Sequence, residues 1–119
     1  MSEINITVRK RGPAEEILLV KVEGSLDAHT VPSFETKMNK LINEGNTNLL
    51  IDAENINYIS SAGLGVFMSI LDTVEEKGGS LSVLKATDQF TKVFAMMGFD
   101  DLFSSYSTEE EAIKGILNK

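Results

Sequence analysis

The order of strand-like and helix-like segments constrains this chain more than any other feature of its sequence. Residues 4–10 alternate apolar and polar side chains, as strands do, and residues 16–23 form a second strand-like run after a break at Gly12-Pro13. These two runs predict a hairpin. Helix-like and strand-like segments then alternate to the C-terminus, so the predicted order is β-β-α-β-α-β-α-β-α.

The later segments follow from apolar spacing and capping residues. Apolar residues that recur every three or four positions predict helices, and short apolar runs between them predict buried strands. The predicted helices are 32–43, 62–76, 88–97 and a terminal helix that follows a capping box in 107–111 and ends at Leu117. The predicted strands between them are 48–52, 81–84 and 102–106.

This order predicts an α/β fold with one mixed β-sheet, opened by an N-terminal hairpin and covered by about four α-helices. A chain of 119 residues is long enough for one hydrophobic core and too short for two. We therefore expect residues 1–119 to form a single domain.

Composition excludes several classes of function. The net charge of −7 disfavours nucleic acid and anionic membranes, although Arg9, Lys10 and Arg11 form a local basic cluster, most simply a solvated strand edge. The chain has no cysteine and its one histidine, His29, lies in no metal-binding motif, so we expect no metal and no cofactor. It shows no signal peptide and no apolar run near the ~20 residues of a membrane span, which predicts a cytoplasmic protein.

Residues 58–65, YISSAGLG, carry two adjacent serines, Ser60 and Ser61, just before a predicted helix. A nucleophilic serine needs a nearby base, and Ile59 stands where the Gly-x-Ser-x-Gly motif requires glycine. The glycine pattern of dinucleotide-binding loops also fails, because Met68 occupies its third glycine position. We therefore expect no catalytic residue and no enzyme activity.

Asp52, at the end of the predicted strand 48–52, suggests a receiver domain phosphorylated on aspartate. Receivers also need an acidic pair after their first strand, where this chain has only Lys10 and Arg11 or a lone Glu23. They begin with a strand and a helix, not with a hairpin. The receiver interpretation is therefore an alternative with little support.

A serine at the start of a helix has two interpretations. Unmodified, it caps free backbone N–H groups. Phosphorylated, it places a dianion where the helix dipole and free amides favour negative charge, and it would block a partner docked there. Gly63 and Gly65 either open the helix start to a partner or relieve packing against the sheet, and the sequence leaves both alternatives open.

Two other groups of residues have local explanations. Asp27 and His29 are predicted to be local caps, with partner contact as the alternative. Residues 96–99 are predicted to cover the sheet or end a helix, with a partner-facing methionine patch as the alternative.

Four segments, GSLDAHTVPSF, NLLIDAENINYISSAGLGVFMSIL, GGSLSVLKATDQFTKVFAMMGFDDLF and the helix after YSTEEEA, resemble the anti-sigma factor antagonist family, which is built on the STAS domain. The resemblance covers essentially the whole chain and implies a STAS-domain fold. It places the family's phosphorylated serine on Ser61. The implied partner-binding residues are Asp27, His29, Thr30, Ser60, Ser61, Ala62, Gly63, Leu64 and Gly65.

The resemblance also implies a switching mechanism. The unphosphorylated protein would bind an anti-sigma factor that is often itself a serine kinase, and a sigma factor would be released. Phosphorylation would block this binding and a serine phosphatase would restore it. Ser60 stands where the best-known antagonists have aspartate, which makes it a second candidate acceptor. A STAS scaffold or accessory subunit that needs no phosphorylation is the alternative, and the sequence does not indicate an oligomeric state.

Overall fold

The computed structural model describes residues 3–99 and 101–118. Its strands are β1 Ile4–Arg11, β2 Ile17–Leu26, β3 Asn48–Ile59, β4 Ser80–Leu84 and β5 Ser104–Tyr106. Its helices are α1 Val31–Asn43, α2 Ser61–Glu76, α3 Asp88–Met96 and α4 Glu109–Leu117. The predicted order of elements is confirmed.

The strands form one mixed sheet in the order β1-β2-β3-β4-β5. β1 pairs antiparallel with β2, while β2, β3, β4 and β5 are parallel to one another. The predicted hairpin and mixed sheet are therefore confirmed. The carboxyl ends of the parallel strands lie together at one end of the sheet. The starts of α1, α2 and α3 therefore lie there as well, where ligands of open α/β sheets generally bind.

The sheet is covered on both faces. Alternate residues of β2 and β3 enter two separate cores, since successive strand side chains point to opposite faces. One core, with α1, α2 and α3, contains Leu18, Val20, Leu49 and Ile51, while the smaller one, with α4, contains Ile17, Leu19, Leu50, Leu84, Ala112 and Ile116. Burial on both faces explains the apolar run 49–51.

Phe67 of α2 lies at the centre of the larger core and is fully buried. Its ring centroid lies 5.7 Å from that of Phe34, 5.8 Å from those of Phe90 and Phe94, and 6.2 Å from that of Phe103. Three of these contacts are edge-to-face, an arrangement that aromatic rings favour. This cluster ties α1, α2 and α3 together around one side chain.

β2 and β3 are longer than the sequence predicted. β3 continues beyond Asp52 to Ile59, and two register shifts against β2 accommodate its polar residues. Such shifts place extra residues on one strand without ending it. Asp52 therefore lies inside a strand, is 8% exposed, and its carboxylate accepts a hydrogen bond from the Glu54 N–H at 3.1 Å. The interpretation of Asp52 as a strand-ending phosphate acceptor is wrong.

The predicted burial of residues 96–99 over the sheet is confirmed for Phe99, which packs against the larger core, and is wrong for the methionine pair. Met96 is 84% exposed and Met97 51% exposed. They do end a helix, because Met96 is the last residue of α3, Met97 caps it, and Gly98 follows with a φ of 75°. A positive φ is the usual geometry just past a helix end.

Candidate functional site

The two segments proposed from the sequence to bind a partner lie side by side. The Ser60 N–H donates a hydrogen bond to the Leu26 carbonyl at 2.8 Å. This bond holds the start of α2 against the end of β2. Since Asp27 to Thr30 follow Leu26 directly, the structure brings both predicted segments together at the carboxyl ends of β2 and β3.

The loop after β2 is fixed by its own side chains. The Asp27 carboxylate accepts hydrogen bonds from the N–H groups of His29 at 2.9 Å and Thr30 at 3.2 Å. The buried Thr30 hydroxyl donates to the Ser25 carbonyl at 2.6 Å. These bonds leave Ala28 and His29 exposed at the tip of the loop. Local capping is therefore confirmed for Asp27, whereas the His29 side chain is on the surface.

The two serines occupy different positions at the start of α2. Ser60 is the N-cap residue, with extended backbone angles (φ −92°, ψ 175°), and its Oγ accepts a hydrogen bond from the Gly63 N–H at 3.3 Å. Ser61 is the first residue of the helix and is exposed. The capping interpretation therefore applies to Ser60, and it leaves Ser61 as the serine whose side chain is at the surface.

This difference predicts different stabilities for two alanine variants. Ser60→Ala should lower the free energy of unfolding by about 1 kcal/mol, because it removes a helix cap. Ser61→Ala should change it by less than about 0.5 kcal/mol, as for most surface substitutions. Urea denaturation followed by circular dichroism measures both. Equal losses in the two variants would contradict the assignment of Ser60 as the cap.

The two glycines of the motif also have different surroundings. A Cβ added to Gly63 would lie 2.8 Å from Ile59 Cγ1, 3.0 Å from the Leu26 carbonyl oxygen and 3.1 Å from Leu26 Cβ. A Cβ added to Gly65 would meet nothing within 4 Å. Gly63 is therefore required for close packing of α2 on the sheet, while Gly65 leaves open surface next to Ser61.

We expect opposite effects from alanine at these positions. Gly63→Ala should lower the free energy of unfolding by about 1 kcal/mol, since overpacking costs ~1–3 kcal/mol and helix propensity returns only ~1 kcal/mol. Gly65→Ala should raise it by up to ~1 kcal/mol, since the helix gains alanine at no steric cost. Paired denaturation curves test this, and stabilisation by Gly63→Ala would show that α2 does not pack as described.

The partner-binding residues predicted from the sequence differ in accessibility. Thr30, Gly63 and Leu64 are buried and can only shape the surface, while Asp27 and Ser60 are partly buried. The other four predicted residues, His29, Ser61, Ala62 and Gly65, are exposed, and so is the neighbouring Ala28. We call these five residues the docking surface.

Sequence reasoning assigned no role to Tyr58, which is 50% exposed and lies two residues before the cap. Its Cα partner across the sheet is Ser25, near the loop that carries His29. Exposed tyrosines are common anchors in protein interfaces. The signal in the sequence is an aromatic residue next to the serine pair, but a strand predicted to end at Asp52 gives Tyr58 no place in the sheet.

Two features absent from residues 3–99 and 101–118 bear on other classes of function. These residues contain no group of three or more histidine and carboxylate side chains placed to hold a metal ion. None of the helices in the same ranges is long and apolar enough to cross a bilayer.

Comparison with known proteins identifies the family. The model of the STAS domain matches residues 5–112. The anti-sigma-B factor antagonist of Staphylococcus aureus (strain NCTC 8325 / PS 47) is 32% identical over 83 residues, which cover 70% of this chain and 77% of that protein. The chain therefore belongs to the anti-sigma factor antagonist family, which is built on the STAS domain, as the sequence motifs predicted.

Solved structures show the same fold. The anti-sigma factor antagonist SpoIIAA in its unphosphorylated form superposes with a TM-score of 0.76 at 24% identity, covering 95% of this chain and 98% of that one. SpoIIAA of Bacillus, a cell fate determinant, in its phosphorylated form gives a TM-score of 0.69 at 24% identity, covering 92% and 99% of the two chains. The predicted STAS-domain fold is thus confirmed.

Proposed function

We propose that this protein is an anti-sigma factor antagonist whose unphosphorylated form binds an anti-sigma factor through the docking surface, and that phosphorylation of Ser61 prevents binding. The observation that carries the proposal is the difference in position between the two serines. Ser60 supplies the cap of α2, so Ser61 is exposed on its first turn without being needed for the fold. Membership of the family and the names of the relatives support the role.

The electrostatics of the helix start favour a phosphate on Ser61. α2 is 16 residues long and has no acidic residue in its first turn. Its N-terminal end carries a partial positive charge, which stabilises an anion placed there. A phosphoserine adds about 1.5–2 negative charges, which this position accepts without disturbing the core. A partner docked on the same surface would instead meet a bulky dianion in place of a hydroxyl group.

Ser60 is less suited to be the acceptor. Its Oγ is the atom that accepts the hydrogen bond from the Gly63 N–H, and the residue is partly buried against the end of β2. A kinase would have to break that bond and distort the cap to reach the oxygen. The same kinase would reach the Ser61 hydroxyl at the surface.

The proposal implies a small set of partners. The anti-sigma factor would itself be a serine kinase that phosphorylates Ser61, and a serine phosphatase would return the protein to its binding form. The protein would act in the cytoplasm as a regulator with no catalysis of its own. It would contact neither nucleic acid nor membrane directly, and a sigma factor would be freed through its anti-sigma factor alone.

Phosphate labelling tests the site. The purified protein is incubated with its cognate anti-sigma kinase and ATP, and the intact mass is measured. We expect an increase of one phosphate in the native protein and in Ser60→Ala, and no increase in Ser61→Ala. Labelling that persists in Ser61→Ala and vanishes in Ser60→Ala would overturn the assignment. No labelling of any form would favour a scaffold that works without phosphorylation.

A further inference from the structure

The two edge strands of the sheet, β1 and β5, differ in how well they are protected from pairing with another strand. At one edge, β5 has only three residues, a length that offers little to a pairing strand. At the other edge, β1 has eight residues and pairs with β2 without a register shift along its whole length. β1 contains no proline, and its other side has no strand partner among residues 3–99 and 101–118. Only its last three residues, Arg9, Lys10 and Arg11, carry charges of the kind that protect edges.

Three apolar side chains lie in a row along β1 on one face of the sheet. Ile4, Ile6 and Val8 lie on the face that packs towards α1 and α2, because they pair with Gly24, Val22 and Val20 of β2. Ile4 and Ile6 are partly buried against the larger core, whereas Val8 is 38% exposed. Its partner Val20 is completely buried. The row is therefore covered on the β2 side and uncovered on the outer side.

We propose that β1 pairs antiparallel with β1 of a second copy of this chain, centred on Ile6, so that the two sheets join into one. In this register Ile6 faces its own copy and Ile4 faces Val8. Asn5 faces Thr7, and Glu3 faces Arg9. Apolar residues thus face apolar residues, polar residues face polar residues, and the two charged residues are of opposite sign. This is the pattern that stabilises antiparallel strands. The twofold symmetry repeats the Glu3–Arg9 contact at both ends.

Neighbouring registers lose this match. Centring the pair on Thr7 would place Ile4 opposite Lys10 and would pair Glu3 with Arg11, which is already bound to Glu109. Centring it on Val8 would place Ile6 opposite Lys10. Of these three registers, the Ile6-centred one pairs all three apolar residues with one another and uses a cation, Arg9, that has no ion-pair partner among the described residues.

The dimer would leave both docking surfaces accessible. Ile4 pairs with Gly24, near the end of β2 from which the His29 loop departs. In an antiparallel dimer the two β1 strands run in opposite directions, so the two docking surfaces would lie at opposite ends of the joined sheet. Dimerisation and the serine switch can therefore be tested independently.

A charge swap across the strand pair provides the first test. In sedimentation equilibrium over increasing concentration, the native protein should approach twice the 13.0 kDa mass of one chain. Glu3→Arg and Arg9→Glu should each weaken the dimer about tenfold, because two cross-strand attractions become repulsions. The double variant Glu3→Arg/Arg9→Glu should restore it. Circular dichroism checks that every variant is folded. A native mass that stays at 13.0 kDa at every concentration, or a double variant as weak as the singles, would overturn the proposal.

A cysteine crosslink tests the register. The chain has no cysteine, so Ile6→Cys would introduce a single thiol at the proposed twofold axis. Mild oxidation should convert this variant to a covalent dimer on a non-reducing gel. Asp72→Cys, on the exposed surface of α2, is the matched control and should stay monomeric. Equal crosslinking of both variants, or none of Ile6→Cys, would contradict the Ile6-centred pairing.

Discussion

Ser61→Asp should weaken binding of the anti-sigma factor by about 100-fold or more, because an uncompensated charge placed in an interface costs about 2–5 kcal/mol. The same substitution should leave the fold intact. Aspartate on the first turn of a helix interacts favourably with the helix dipole, so the free energy of unfolding should stay constant or rise by ~0.3–1 kcal/mol. Calorimetric titration and urea denaturation of the same sample separate the two effects.

Ser69→Asp is the matched control for this experiment. Ser69 is an exposed serine on the same helix, eight residues and about 12 Å further along α2 at 1.5 Å per residue. Ser69→Asp adds the same charge outside the docking surface and should bind the anti-sigma factor normally, as should Ser61→Ala. If Ser61→Asp binds as tightly as these controls, the protein does not use Ser61 as an electrostatic switch.

Phe67→Ala should lower the free energy of unfolding by about 3–5 kcal/mol, the range found when a buried phenylalanine is truncated. Phe67 is fully buried and its ring meets those of four other phenylalanines, so the cavity would lie where α1, α2 and α3 join the sheet. Because the loss is a large fraction of the ~5–15 kcal/mol that keeps a typical domain folded, the midpoint of thermal unfolding should also fall. Chemical denaturation measures the loss of free energy.

The control for the core is Met96→Ala. Met96 is 84% exposed at the end of α3, so its truncation should change the free energy of unfolding by less than about 0.5 kcal/mol. A loss at Met96 as large as that at Phe67 would mean that the methionine is covered in solution. A loss below ~1 kcal/mol at Phe67 would contradict the central position of its ring.

The architecture was predictable because local patterns and tertiary packing agree over most of the chain. The apolar run 49–51 is buried on both sheet faces, and Gly12-Pro13 marks the turn of the hairpin. The continuation of β3 beyond Asp52 was not predictable. Its register shifts interrupt the two-residue period that identifies strands, so Glu54 and Asn55 have the appearance of a loop.

The site was predictable as a segment and unpredictable in its details. Two adjacent serines before a helix are equivalent in sequence, and only the position of the first helical turn makes Ser60 the cap and Ser61 the exposed residue. The contact between the Ser60 N–H and the Leu26 carbonyl depends on strand pairing between β2 and β3, which the sequence does not specify. Exposure of Met96 likewise depends on where α3 ends relative to the core.

The most direct test of the switch compares one protein sample before and after modification. The protein is phosphorylated to completion by its kinase, the modified residue is mapped by peptide mass analysis, and binding to the anti-sigma factor is measured by calorimetry. We predict a phosphate on Ser61, loss of detectable binding, and full recovery after phosphatase treatment. Unchanged affinity of a protein fully phosphorylated on Ser61 would contradict the account.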